Sequence, residues 1–165
     1  MDISHKNSWE QFLDEFIEVF SIFDFHKYKV FICGSYIEDN LVKLREIRNV
    51  INNIENHLAF FEDQFRTTHN ENLVYKFDLL AKISDDILMI IEHDKGGHMI
   101  EMGILISSKE FLSKTKVFVL KDASITKMLT SGGLLSPFFT QGKNLFYFQD
   151  VNELKSIILR IYSDF

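Results

Sequence analysis

Five short apolar runs divide the chain, and between them apolar residues recur every third or fourth position on otherwise polar stretches. The runs at 29–33 (KVFIC), 58–61 (LAFF), 86–91 (DILMII), 116–120 (KVFVL) and 145–148 (LFYF) have the length and continuous apolarity of strands covered on both faces. From Asn7 or Ser8 to about Phe25, the residues Trp9, Phe12, Leu13, Phe16, Ile17, Phe20 and Phe23 form one broad stripe opposite Glu10, Asp14, Glu15 and Glu18. That spacing predicts an N-terminal helix packed on the sheet. Narrower stripes predict helices over about 39–53, 71–83, 99–106 and 151–162, while 122–142 reads as a loop with a short helix. Strand and helix alternate throughout. The pattern predicts an α/β fold, a doubly wound five-stranded parallel sheet of flavodoxin-like or Rossmann-like type in the order 2-1-3-4-5, with an extra N-terminal helix within 1–27.

Neither a repeat nor a linker interrupts this order, so 1–165 reads as one domain, long enough to bury a sizeable core. Composition agrees, since 46% of residues are hydrophobic and 17 are Phe. A net charge of −6 argues against nucleic acid or an anionic membrane as the main partner. No apolar run approaches the length of a membrane span, and MDISHKNSW lacks the pattern of a signal peptide. The lone Cys33 excludes an internal disulfide, so a cytoplasmic protein is expected.

Candidate chemistry concentrates after the predicted strands. Strand 29–33 ends in Gly34-Ser35-Tyr36 before a helix, and backbone amides at such a turn favour anionic groups. Tyr36 either stacks on a base or lies at the edge of the core. The stretch 62–72 is mostly polar and longer than a minimal connection, as loops covering a pocket often are. Strand 86–91 is followed by the glycine turn Gly96-Gly97 and a second apolar stretch that carries a single carboxylate, Glu101. Ligands of open α/β sheets bind just beyond the carboxyl ends of central strands, which is where this residue falls. Asp78 and Asp94 are further candidates, against the alternatives of helix surface and solvated turn. Asp86 either contacts substrate or caps the strand it opens. His93 and His98 flank the glycine turn without the spacing of a zinc motif or a third ligand, so no metal site is predicted. Proton transfer or a phosphate contact suits His98 better.

Three segments together resemble the nucleoside 2-deoxyribosyltransferase family, a relative of TIR-type domains. The run KVFICGSY at 29–36 looks like that family's first strand and glycine-aromatic turn. Asp78 and Asp86 are spaced like its substrate-binding aspartate and the aspartate opening its third strand. Gly97, Glu101 and Gly103 match its G-x-x-x-E-x-G pattern. The resemblance implies a doubly wound fold, a nucleoside or nucleotide as small-molecule ligand, no cofactor, and active sites built in a homo-oligomer. It implies that Glu101 is the nucleophile at the anomeric carbon, that Asp78 binds the base or a sugar hydroxyl, and that Gly34, Ser35, Tyr36, Asp86, Asp94, Gly97 and His98 surround the substrate. Cleavage of an N-glycosidic bond builds positive charge on the sugar, and a carboxylate stabilises or captures it. Two alternatives stay open at this point: a TIR-like NAD hydrolase, and a nucleotide sensor without catalysis.

Overall fold

A computed structural model describes residues 14, 16–20, 24–65, 73–93, 97–133, 135 and 137–163, with the side chains at 38, 63, 73, 75 and 97–99 outside that description. Five strands, β1 (Tyr28–Cys33), β2 (His57–Phe61), β3 (Asp86–Ile91), β4 (Thr115–Leu120) and β5 (Leu145–Phe148), form one sheet in the order β2-β1-β3-β4-β5. Every neighbouring pair is parallel. The helices between them are α1 (Glu38–Asn52), α2 (Leu73–Ile83), α3 (Gly97–Ser107), α4 (Lys109–Ser113), α5 (Ala123–Ser131) and α6 (Val151–Tyr162). The fold is the doubly wound parallel α/β sheet that the alternating pattern predicts.

Side chains alternate across the pleat, and the two faces collect different helices. Phe31, Cys33, Met89, Ile91, Val117 and Val119 meet Phe77 and Leu80 of α2, Met102 and Leu105 of α3, and Ile125 and Leu129 of α5. On the other face Val30, Ile32, Leu88, Ile90 and Phe118 meet Leu44, Ile47 and Ile51 of α1 and Leu154, Ile158 and Tyr162 of α6. In the N-terminal segment the described residues 14 and 16–19 are helical. Phe20 seals that segment onto the first face, its ring edge-on to Phe60 at 4.8 Å. Trp9, Phe12, Leu13 and Phe23 of the predicted stripe lie outside the described residues.

Three helix starts among the described residues carry side-chain caps, the first being Ser108, which accepts from the Phe111 amide at 3.4 Å. Asp122 accepts from the Ser124 amide at 2.8 Å, and Asp150 from those of Asn152 and Glu153 at 2.8 and 2.9 Å. The short α4 was not anticipated from the apolar pattern, because only Phe111 of its five residues is buried. Among the described residues no helix is long and apolar enough to cross a membrane. From β1 the chain crosses one face to β2, then returns over the other face to β3. The strand order therefore reverses between β1 and β3, and ligands of open α/β sheets bind outside the carboxyl ends at such a reversal.

A buried carboxylate group at the sheet's carboxyl end

Three chain segments leave the carboxyl ends of β1, β2 and β3, and each brings an ionisable group to this end of the sheet. After β1, Gly34 lets the backbone press against its neighbours. A Cβ there would stand 2.9 Å from Leu44 of α1 and 3.5 Å from the carbonyl of Ile90. Ser35 is buried and accepts the Ile37 amide at 3.4 Å, turning the chain into α1. Tyr36 then reaches across to the exit of β2, where its hydroxyl accepts the Glu62 amide at 3.2 Å.

Glu62 opens a single 3-10 turn, Glu62–Gln64, directly after β2. The turn is tied back by the Phe65 amide donating to the Glu62 carbonyl at 2.9 Å and the Phe61 amide to Gln64 Oε1 at 3.0 Å. From α2 comes Lys76, a lysine only 6% exposed. Its Nζ donates to the Phe65 carbonyl at 2.5 Å and lies 3.8 Å from the Glu62 carboxylate. A buried ammonium needs such partners, so Lys76 and Glu62 hold one another in place.

Glu101 stands in the second turn of α3, between the exposed Ile100 and the buried Met102. Its Oε2 is buried with no hydrogen-bond partner. Burial, and after it the negative charge of Glu62, pushes its carboxyl up from 4.5 to about 8. The Cys33 thiol is raised by burial first, then by Glu101 and Glu62. Burial likewise raises the Tyr36 phenol, reinforced by the acidic neighbours Cys33, Glu62 and Glu101. At neutral pH the Glu101 carboxyl holds its proton, chiefly because it is buried.

A second ion pair lies at the same end of the sheet, on the α1 face. Glu92, the residue after β3, accepts Lys43 Nζ at 2.7 Å and keeps its other oxygen buried without a partner. Its side chain is only 4% exposed.

The structure thus brings together Gly34, Ser35, Tyr36 and Glu101 of the predicted residues. Gly97 opens α3, and His98 stands in its first turn with its side chain outside the description; Asp94 lies outside the described residues. Two aspartates stand apart. Asp78 pairs with Lys82 on its own helix at 2.7 Å. Asp86 lies at the opposite, amino end of β3, where the pairing of parallel strands puts it beside Val30 of β1. There it binds Lys116 and accepts the Tyr162 hydroxyl at 2.8 Å, which makes it a structural residue, not part of the Glu101 group. The pattern reading missed Glu62, Lys76, Lys43 and Glu92. Glu62 and Glu92 each follow a strand directly, and that position was the available signal. Among the described residues no three or more His, Cys, Asp or Glu side chains are arranged to hold a metal ion.

The fold is that of a doubly wound α/β protein, with buried carboxyl groups at the carboxyl end of its sheet. The chain belongs to a family of unknown function, DUF8170, which it matches over residues 10–131. That span includes Cys33, Tyr36, Lys43, Glu62, Lys76, Glu92 and Glu101. No curated protein matches the chain.

Proposed function

We propose that this protein binds a nucleoside or nucleotide in the β1–β3 crevice and cleaves or transfers at its N-glycosidic bond, with Glu101 acting on the anomeric carbon. The observation that carries the reading is the Glu101 carboxyl itself, buried on an apolar helix with an unpartnered oxygen and its titration raised to about 8. Such a group is costly to keep unless a ligand uses it. A substrate developing positive charge on the sugar supplies the use, since that charge draws the ionised form. The match of Gly97, Glu101 and Gly103 to the deoxyribosyltransferase pattern points the same way.

The test is incubation with a panel of nucleosides, nucleoside monophosphates and NAD, following free base by chromatography. Base release from one or more nucleosides, lost in Glu101→Gln, is the expected result. Release from NAD alone would assign the site to NAD hydrolysis, and binding without release would make the protein a sensor. We place it in the cytoplasm as a homo-oligomer, for which the exposed Ile17 and Phe25 of the N-terminal segment offer an apolar face. Light scattering should return a mass above that of one chain at micromolar concentration; a single-chain mass argues against the assembly.

A further inference from the structure

We infer that the protein carries a second ligand site at the amino end of the sheet, which takes a small organic cation with hydrogen-bond donors at both ends, such as a di- or polyamine. It stands apart from the N-glycosidic reading, which concerns the carboxyl end. Three turns meet here: 24–28 before β1, 53–56 between α1 and β2, and 84–85 between α2 and β3. Between them lies an open cleft of about 460 Å³, within the size range of small-molecule sites.

Hydrogen bonds fix the walls of this cleft against one another. The start of β1 runs down its middle: the Tyr28 amide donates to the Asn56 carbonyl at 2.8 Å, and the Lys29 amide to Asp85 Oδ2 at 2.7 Å. The Asp85 amide donates back to the Lys29 carbonyl at 2.8 Å. The β2 side and the β3 side are therefore two strand spacings apart, roughly 10 Å. His57 is the buried member of the lining, only 7% exposed. Its Nδ1 stands 2.9 Å from the Glu55 carbonyl, which can only accept, so Nδ1 carries the hydrogen and Nε2 is left as an acceptor. That Nε2 is buried and has no partner.

Which lining groups are already engaged decides what the cleft can take. The lysines are spent close to home. Lys27 pairs with Asp24 at 2.7 Å, and Lys29 Nζ donates to the Phe25 and Lys27 carbonyls at 2.7 and 3.1 Å. The Tyr28 hydroxyl is taken by Asp86, which leaves the ring as an apolar wall. On the β2 side the exposed Glu55 carboxylate has no partner among the described residues, and His57 Nε2 lies beside it in the chain. On the β3 side the second oxygen of Asp85 is open. All three groups accept, and two are negative. A two-ended cation meets both sides at once, with its carbon chain along the Tyr28 ring. An anion would face two carboxylates, and an apolar ligand would leave the buried nitrogen unsatisfied.

The experiment titrates the full chain with agmatine and spermidine by calorimetry, with butylamine as a one-ended control. It compares the parent with Glu55→Gln, Asp85→Asn, their double variant, and Glu110→Gln, which alters an exposed carboxylate on α4. Asparagine at 85 keeps an acceptor for the Lys29 amide, so the fold should survive. The parent should bind both two-ended cations more tightly than butylamine. Each of the first two variants should weaken agmatine binding by about twofold to fivefold, the range of exposed charge pairs, and the double variant by about the product. In nitrogen-15 spectra of the histidine rings, assigned with His57→Gln, agmatine should move the His57 Nε2 signal as that nitrogen gains a donor. Glu101→Gln, at the other end of the sheet, should bind agmatine like the parent. A parent that binds neither agmatine nor spermidine overturns the site, as does an unmoved Nε2 signal or an unchanged affinity in the double variant. Butylamine binding as tightly overturns the two-ended fit. An equal loss in Glu110→Gln would mark general attraction to an acidic protein, and a loss in Glu101→Gln would put the cation at the carboxyl end; either overturns the inference.

Discussion

A carboxyl group held neutral by its surroundings has a close mimic in the amide of glutamine. At neutral pH Glu101 is mostly protonated, so Glu101→Gln keeps its shape, its neutrality and most of its polarity. Fold and ground-state binding should survive that change. Turnover should not, because only the carboxylate can meet positive charge on the sugar. A preorganised electrostatic contact of this kind is worth roughly 3–4 kcal/mol, or two to three decades in rate. The check is base release and ligand affinity measured side by side, and unchanged release sinks the assignment. Asp78→Asn is the natural comparison: its carboxylate is spent on Lys82, so release should stay within about twofold to threefold of the parent. At this scale the sequence was half legible. Glu101 stood out because it interrupts an apolar stretch. The pair Glu62 and Lys76 did not, because one sits in a polar loop and the other on a helix with ordinary charges. Only the meeting of two strand exits and α2 gives them a shared purpose.

Elements place these side chains, and two positions carry that task at opposite ends of the sheet. At the carboxyl end, Gly34 lets β1 pass close to α1 and β3. An added Cβ would press on Leu44, which is itself fully packed in the core. Gly34→Ala should therefore cost about 1–3 kcal/mol from overpacking, offset in part by the stiffer unfolded chain. Because Gly34 leads into Tyr36, ligand binding should weaken with it; a variant as stable and as tight-binding as the parent would contradict the close approach. At the amino end, Asp86 anchors Lys116 and Tyr162, joining β3, β4 and α6. Asp86→Ala takes the carboxylate away from a half-buried cation and a buried hydroxyl, so unfolding should be easier by about 1–3 kcal/mol. Denaturant titration checks this, and a cost under about 1 kcal/mol would mean that the network carries little. These elements were largely legible as apolar runs and stripes. Their ends moved by a residue: β1 begins at Tyr28 and β2 at His57, which pair with each other, although neither continues the apolar run. The purpose of Asp86 was not legible, since its partners lie 30 and 76 residues away.

At the scale of the whole molecule the sheet order was readable from alternation alone, because parallel strands joined by helices leave few ways to bury both faces. What alternation does not encode is the shape of the crevice, which depends on loops whose residues share no period. One property nevertheless joins site and fold, and it is the pH dependence of stability. Glu101 titrates near 4.5 when unfolded and near 8 when folded. Between those values the folded chain holds a proton that the unfolded chain has released. Stability must then fall as pH rises through this window, because the native state binds more protons. The favourable contribution is complete below about 4.5 and gone above about 8, changing by at most about 1.4 kcal/mol per pH unit between. Glu101→Gln removes this proton linkage. The variant should match the parent near pH 5, exceed it progressively toward pH 8, and hold a constant margin beyond. Thermal or urea unfolding of both proteins at half-unit steps from pH 5 to 9 measures the difference directly. Parallel stability curves for parent and variant across that range would mean that Glu101 is solvated as an ordinary carboxylate, and the buried, ligand-seeking group at the crevice would lose its physical basis.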